Sequence, residues 1–313
     1  MRYDLSSYRK IKVSPVAGAL GAEIAGVDAS AAIADDVFEE IRRAFLAHHI
    51  LFFRDQGLSP DALVAFGERF APLSRSEYLG SIAENPFVHR MVREAEVPSS
   101  ERNIGDRWHS DLSPRERPTF GFMLYCLEAP DYGGDTMFAN LCLAYDTLSD
   151  AMKALCEQLV VIHSPSGVFG GDGAGGAGTK KPLVHKGMEK NYAVSERTLA
   201  DLRRETEHPL VRIHPETGRR ILFITGDYCI RLKGMTEAES RPIIDFLNRH
   251  AVRPEFTCRF RWRTGSLAVL DNRCTQHYAV NDYAGFRRAM LRIELEGERP
   301  FGPAMPRVDR AAE

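Results

Sequence analysis

The sequence predicts a mainly β fold, a β-sandwich or jelly roll with helices packed on its outside. Short apolar or alternating segments, separated by turn residues, recur from residue 117 onward, and helical patterns lie mostly elsewhere. Strand and helix patterns also do not alternate regularly, which argues against a doubly wound parallel sheet.

The individual elements follow from local patterns. Residues 10–28 mix alternating apolar residues with glycines and predict a hairpin. Residues 35–49 carry apolar residues at helical spacing and acids in the first turn, which predicts an amphipathic helix that leads into a strand at 50–55. A second helix is predicted at 59–72, with Ser59 as N-cap and Pro60 in the first turn. Further strands are predicted at 117–129, 135–140, 160–164, 208–214, 219–224, 256–263, 266–272 and 287–297, and further helices within 141–159 and at 236–252.

Composition is that of an ordinary globular protein. The 313 residues are 44% hydrophobic and 27% charged, with a net charge of -2, so nothing indicates binding to nucleic acid or to a membrane surface. Six cysteines occur without a CxxC pair, and no secretory signal or membrane span is visible. We expect a single domain over residues 1–313, a cytoplasmic location and reduced thiols.

Two motifs resemble functional signatures but have simpler explanations. Gly171, Gly173 and Gly176 have the spacing of a dinucleotide fingerprint, but no helix start follows them, so a loop is favoured. His214 and Glu216 have the form His-x-acid. Because they lie in HPETG between two strand patterns, an exposed hairpin turn is the favoured interpretation.

A second His-x-acid pair, in DRWHSDLS, has more support. On a strand, residues i and i+2 point to the same face, so one strand could present both His109 and Asp111. Two imidazoles and one carboxylate on one face suit a non-haem Fe(II), which keeps its other positions open. His277, which follows a strong apolar strand, is the candidate third ligand; a loop histidine with satisfied hydrogen bonds is the alternative.

Two arginines follow His277 on the next predicted strand. Arg288 and Arg292 are four residues apart, so they share a face with Met290, while Leu291 and Ile293 take the other. A buried arginine is costly unless it binds an anion, and a guanidinium is a natural clamp for a carboxylate. The pair indicates an organic acid near the metal, although two salt-bridged arginines on a solvated face are the alternative.

Several stretches together resemble the taurine dioxygenase / 2,4-dichlorophenoxyacetate dioxygenase (TauD/TfdA) family of Fe(II)- and 2-oxoglutarate-dependent oxygenases. The resemblance covers nearly the whole chain. The matching stretches are WHSD (108–111), GGDTMFAN (133–140), HPLVRIHPETGRRILFI (208–224), LDNRCTQHY (270–278) and RRAMLR (287–292).

The resemblance implies a double-stranded β-helix core, of the jelly-roll or cupin type, and a role for each matching residue. His109, Asp111 and His277 would bind iron. Thr136 and Arg292 would hold the distal carboxylate of 2-oxoglutarate, and Arg288 would lie nearer the primary substrate. Asp271 and Arg273 would support the turn that presents His277, and HPETG would be a family turn. The implied reaction consumes O2 and 2-oxoglutarate, releases succinate and CO2, and hydroxylates a C–H bond. The family also implies a homo-oligomer, a dimer or tetramer.

The substrate is expected to be a small anion, a carboxylate, sulfonate or sulfate. Taurine itself is disfavoured, because Gly105 stands where taurine dioxygenases have an asparagine. Lid segments are expected near 75–105 and 165–190, where Lys180, Lys181 and His185 could reach substrate.

Three alternatives remain open at this point. The same site could carry out desaturation, epoxidation or N-oxidation. A jelly-roll sensor could bind a metal or an organic acid without catalysis. A nicotinamide dehydrogenase that uses the glycine loop is the weakest of the three.

Overall fold

The computed structural model describes residues 4–76, 79–98, 105–166 and 204–306. The strands are β1 Lys12–Pro15, β2 Ala22–Ala25, β3 Ile50–Phe53, β4 Leu73–Ser74, β5 Ser81–Ile82, β6 Asn85–Arg93, β7 Gly121–Glu128, β8 Thr136–Asn140, β9 Val160–His163, β10 Thr206–Pro209, β11 Val211–Ile213, β12 Arg220–Leu222, β13 Cys229–Leu232, β14 Thr257–Phe260, β15 Leu267–Asp271, β16 Thr275–Ala279 and β17 Arg288–Leu295. The helices are α1 Asp35–His48, α2 Pro60–Glu68, α3 Leu141–Asp146, α4 Asp150–Cys156 and α5 Glu237–Ala251, with two 3-10 turns at Gly226–Tyr228 and Pro254–Phe256.

A nine-stranded sheet forms the frame. Its order is β1-β2-β3-β15-β7-β17-β6-β5, with β4 also paired to β17. Every pairing is antiparallel except β2 with β3. Two three-stranded sheets, β14-β8-β16 and β10-β9-β13, and a two-stranded sheet, β11-β12, complete the part of the fold that the structure describes. The mainly β jelly-roll prediction with flanking helices is therefore confirmed.

Strand β3 shows why the large sheet is covered on both faces. Leu51 and Phe53 belong to the core that α1 and α2 cover. Phe52, which lies between them and points to the other face, belongs to the core shared with the sheet β14-β8-β16. Its ring stacks on that of Phe260, with 3.8 Å between the ring centres. All four residues of the strand are buried, which explains its continuous apolar sequence.

Local capping chemistry defines the helices much as the sequence predicts. The Ser59 side chain accepts a hydrogen bond from the Ala62 N–H, and Pro60 begins α2. At α5, Thr236 and Glu239 form a reciprocal capping box. None of the helices in the described ranges is long and apolar enough to cross a membrane.

The segment assigned to a first lid is in part a structural strand. Asn85–Arg93 forms β6 and pairs with β17 in the large sheet, so this portion of 75–105 belongs to the frame. The sequence hides it because NPFVHRMVR alternates poorly. Most of the second lid segment lies outside the described residues, as do the glycine loop, Lys180, Lys181 and His185.

Buried neutral histidines make stability depend on pH. Desolvation lowers the pKa of His49 to about 3 and that of His208 to about 4, from 6.5. The unfolded chain therefore binds more protons below pH 6.5, and stability is lost as pH falls from there towards the folded pKa values. We expect the free energy of unfolding to be lower at pH 5.5 than at pH 7.5 by roughly 1 kcal/mol for each group. Urea unfolding at both pH values measures this, and an unaltered pH dependence in His208→Gln would contradict the assignment.

Candidate metal centre

The segment that carries His109 and Asp111 is not a regular strand, contrary to the sequence prediction. His109 forms a single antiparallel bridge with His277, through His109 N to His277 O at 3.1 Å and His277 N to His109 O at 2.8 Å. The chain then turns, and Leu112 adopts a left-handed φ of 53°. Asp111 therefore reaches the same face as His109 through a turn, rather than through the period of a strand.

The three side chains converge nonetheless. One potential ligand atom from each of His109, Asp111 and His277 lies within 4.8 Å of the other two. Nε2 of His109 is 3.3 Å from Oδ1 of Asp111, and Nε2 of His277 is 3.9 Å from Oδ2. His277 lies on β16, in the sheet β14-β8-β16, and its ring is 5.1 Å from that of Phe122 on β7 of the nine-stranded sheet. This donor set matches the two-histidine, one-carboxylate face of non-haem Fe(II) centres.

Hydrogen bonding and charge prepare these side chains for a metal. Nδ1 of His109 lies 2.7 Å from the Arg107 carbonyl, which can only accept, so Nδ1 carries the proton and Nε2 has a free lone pair. Burial, helped by the neighbouring His109, lowers the pKa of His277 to about 3. Burial raises the pKa of Asp111, but Arg292 and the histidines outweigh it, so the pKa lies well below its usual value. His277 is therefore neutral and Asp111 is ionised, as metal ligands must be.

Two other groups of potential ligands among the described residues lack this preparation. Nδ1 of His214 accepts the backbone N–H groups of Glu216 and Thr217, so its proton is on Nε2, 3.0 Å from Asp271. Arg219, which can only donate, faces Nε2 of His49, so Nδ1–H of His49 points at Cys274. Neither imidazole offers a lone pair to a metal.

His214 also corrects the sequence interpretation of HPETG. The motif is a turn between β11 and β12, as expected, but His214 is 1% exposed and is not a surface residue. It helps to hold the Asp271 carboxylate, which also accepts from Arg273 at 2.8 and 2.7 Å. Arg273 in turn binds Glu216 at 2.7 Å. This buried network fixes the turn that precedes β16 and His277, the supporting role expected of Asp271 and Arg273.

The two arginines of β17 lie in different surroundings. Arg292 contacts Asp111 at 2.8 Å and Glu294 at 3.2 Å, beside the candidate ligands. The Arg288 guanidinium lies 5.7 Å from the ring centre of Trp262, whose Nε1–H donates to the Thr136 hydroxyl at 2.9 Å. Trp262 thus links Thr136 with Arg288, whereas the family resemblance implied that Thr136 acts together with Arg292.

The surroundings of Arg288 fit a bound carboxylate. Its Nε is buried and has no hydrogen-bond partner among the described residues. The Thr136 hydroxyl already accepts from Trp262, so its own proton is available to an acceptor. A guanidinium with a buried, unused Nε–H, beside a tryptophan that also holds a hydroxyl, suits a bound carboxylate.

Sequence reasoning missed two residues of this region. Trp262 alternates with Phe260 along RFRW, which predicts burial but not its contact with Thr136. Asn272 stands between Asp271 and Arg273, both noted in the sequence, yet its own contacts are with the segment around Asp111. Its only sequence signal is a polar residue directly after a buried strand.

A jelly-roll fold with this ligand set defines the class of non-haem Fe(II) oxygenases. The sequence model of the family described as taurine catabolism dioxygenase TauD, TfdA family matches residues 12–293. The chain belongs to this family. It is accordingly a 2-oxoglutarate-dependent dioxygenase that uses Fe(II) and O2, as the sequence resemblance implied.

Individual relatives cover almost the full chain. An alpha-ketoglutarate-dependent sulfate ester dioxygenase of Pseudomonas putida is 34% identical over 94% of this chain and 92% of its own length. An alkylsulfatase of Acinetobacter baylyi is 32% identical, with 94% and 87% covered. The crystal structure of a taurine dioxygenase from Burkholderia xenovorans matches with a TM-score of 0.77 at 32% identity, covering 95% of this chain and 93% of that one.

Proposed function

We propose that this dioxygenase oxidises the C–H bond next to the ester oxygen of alkyl sulfates. The observation that carries the catalytic part is the convergence of His109, Asp111 and His277, with the proton of His109 held on Nδ1 so that its Nε2 can bind a metal. The substrate class rests on the relatives that act on sulfate esters and on the chemistry around Arg292.

In this proposal the two arginines exchange the roles that the sequence resemblance suggested. Arg288 and Thr136, which both contact Trp262, would bind the distal carboxylate of 2-oxoglutarate. Arg292, which lies against the metal ligand Asp111, would face the anionic group of the primary substrate. The ion pair of Arg292 with Asp111 supports this assignment, because it places Arg292 directly against a candidate metal ligand, and the buried Nε of Arg288 suits a bound acceptor.

The remaining residues orient and shield the reactants. When bound, iron, 2-oxoglutarate and O2 supply the oxidising power, and 2-oxoglutarate leaves as succinate and CO2. Arg292 would fix the sulfate, so that the neighbouring carbon is directed towards the metal face. Glu294, which is buried, would keep Arg292 charged and oriented between two carboxylates.

Gly105 supports a substrate without an amine. A Cβ at this position would lie 3.3 Å from Cε1 of His109 and 3.7 Å from Cβ of Ala279, so the glycine allows the backbone to pack closely against a metal ligand. Its φ of 88° also disfavours any other residue. A polar side chain that could hold an amine is absent at Gly105.

The product follows from the carbon that is oxidised. Hydroxylation at the carbon bearing the sulfate would leave hydroxyl and sulfate on one atom. Such a compound collapses to an aldehyde and inorganic sulfate. Overall, alkyl sulfate, O2 and 2-oxoglutarate would yield aldehyde, sulfate with a proton, succinate and CO2.

An anaerobic difference spectrum tests the cofactor site without any substrate. Addition of Fe(II) and then 2-oxoglutarate to the apo-protein should give the weak visible charge-transfer band of the chelate. His109→Ala and His277→Ala should each lose this band. Iron binding without the band would favour a metal sensor over an enzyme.

A substrate screen tests the proposed class. Medium-chain alkyl sulfates should give succinate and sulfate in a one-to-one ratio, while alkyl sulfonates of equal length, taurine and aryloxyacetates should be turned over more slowly. Faster turnover of taurine would refute the role of Gly105, and a hydroxylated product with its sulfate retained would refute the proposed site of oxidation.

Assembly and location extend the proposal. We propose a homo-oligomer, dimer or tetramer, that acts in the cytoplasm, as the sequence analysis expects. The six buried thiols, none of them in a disulfide, suit a reducing compartment. Light scattering after size exclusion measures the oligomeric state, and a monomer would contradict the first part.

A further inference from the structure

The backbone of Asp111 is held by a side chain instead of a neighbouring strand. Beyond the bridge at His109 the chain leaves the sheet, so no strand ladder pairs with Asp111. The amide of Asn272 takes that place. Its Oδ1 accepts from the Asp111 N–H at 2.8 Å, and its Nδ2 donates to the Asp111 carbonyl at 2.9 Å.

Asn272 is itself firmly placed. It is 2% exposed, its backbone N–H donates to the Phe120 carbonyl at 3.0 Å, and its Nδ2 also donates to the Thr119 carbonyl at 3.2 Å. It belongs to the turn between β15 and β16, five residues before His277 in sequence. One turn therefore presents His277 along the chain and grips Asp111 through hydrogen bonds.

We infer that Asn272 is a positioning residue for the metal centre, which fixes the Asp111 carboxylate relative to the two histidines. The inference rests on the metal site of the proposed function. Side chains that orient metal ligands from outside the coordination sphere typically change metal affinity by about 10–100-fold when they are removed. Here the effect would act through the backbone of the ligand.

The chemistry of the contact requires an amide. Asn272 must accept from one group and donate to two, which an amide can do. A carboxylate of the same shape could still accept from the Asp111 N–H. It could not donate, and it would place negative charge against the carbonyl oxygens of Asp111 and Thr119.

Asn272→Asp is therefore the test, with Asn140→Asp as its matched control. Asn140 is also buried, donates from Nδ2 to the Ala19 carbonyl at 2.7 Å and accepts from the Leu143 N–H at 3.0 Å. Asn272→Asp loses donation to two carbonyls and Asn140→Asp loses donation to one, and both keep an acceptor, but only the side chain of Asn272 hydrogen-bonds to a candidate metal ligand. Thermal unfolding and titration with Co(II), followed by its visible absorption, are measured for both.

We expect Asn272→Asp to weaken Co(II) binding by about 10–100-fold and to alter the absorption spectrum of the bound ion. Asn140→Asp should keep the wild-type affinity and spectrum. If Asn272→Asp is destabilised yet binds Co(II) with wild-type affinity and spectrum, Asn272 serves folding alone and the inference is overturned.

Two further observations keep the test decisive. If Asn272→Asp does not fold, Asn272→Ser is used, since its shorter hydroxyl cannot reach both backbone groups of Asp111; wild-type affinity in that variant would equally overturn the inference. If wild-type protein binds no Co(II), the metal site of the proposed function fails, which is a different result from equal binding by wild type and variant.

Discussion

Asp111→Ala is expected to abolish 2-oxoglutarate turnover and to weaken Fe(II) binding by more than about 100-fold. The loss should exceed that of a residue outside the coordination sphere, because a ligand itself is removed. The protein should still fold, since Glu294 at 3.2 Å remains as a counter-ion for Arg292. Metal titration and succinate formation measure the two effects.

Asp146→Asn provides the comparison for this variant. Asp146 forms an exposed ion pair with Arg219 at 2.8 Å, away from the candidate ligands. Loss of such a pair costs at most about 1 kcal/mol, and it should leave metal affinity unchanged. Wild-type Fe(II) affinity in Asp111→Ala would show that Asp111 is not a ligand.

Arg288→Met is expected to raise the dissociation constant of 2-oxoglutarate by about 30-fold or more. Truncating one partner of a buried, hydrogen-bonded charge pair costs about 2 kcal/mol at least, and 1.4 kcal/mol corresponds to tenfold. The chelating end of 2-oxoglutarate does not depend on Arg288, so saturating concentrations should restore much of the turnover number. Titration of the charge-transfer band gives the affinity directly.

Arg292→Met discriminates between the two assignments of the arginines. We expect it to raise the KM for the alkyl sulfate and to change 2-oxoglutarate affinity less than Arg288→Met does, because Arg292 contacts Asp111 whereas Arg288 lies with Trp262 and Thr136. A larger loss of 2-oxoglutarate affinity in Arg292→Met would restore the assignment made from the sequence and refute the exchange.

Much of the fold was predictable because its signals are local. Alternating and continuous apolar runs predicted β3, β7 and β15, and Ser59 with Pro60 predicted the start of α2. Strand β6 was missed because buried and exposed residues do not alternate along it. Its strand conformation depends on pairing with the distant β17. A pattern read along the chain contains no information about a partner about 200 residues away.

The candidate ligands were predicted for a partly mistaken reason. The sequence argument placed His109 and Asp111 on one strand, yet the chain turns at Leu112 and only the bridge to His277 is strand-like. The three side chains still converge, because His109 is bridged to His277 and the turn at Leu112 follows Asp111 directly. The prediction rested on side-chain chemistry as well as on local conformation, so it did not depend on a regular strand. His214 was misjudged for the opposite reason: its turn motif was recognised, but its burial against Asp271 was not visible in the motif.

The sequence by itself determined the fold class and the family and named the candidate iron ligands, because residue type, periodicity and motif are properties of the chain alone. Only the tertiary structure decided which arginine lies beside Asp111 and which beside Trp262, and that Asn272 holds the Asp111 backbone. Arg288 and Arg292 point to the same face of one strand, so their sequence pattern is equivalent. What separates them is the surface that each meets. Arg292 meets Asp111 and the ring of Phe122 on β7, whereas Arg288 meets Trp262 between β14 and β15, and the fold brings these groups together from distant parts of the chain.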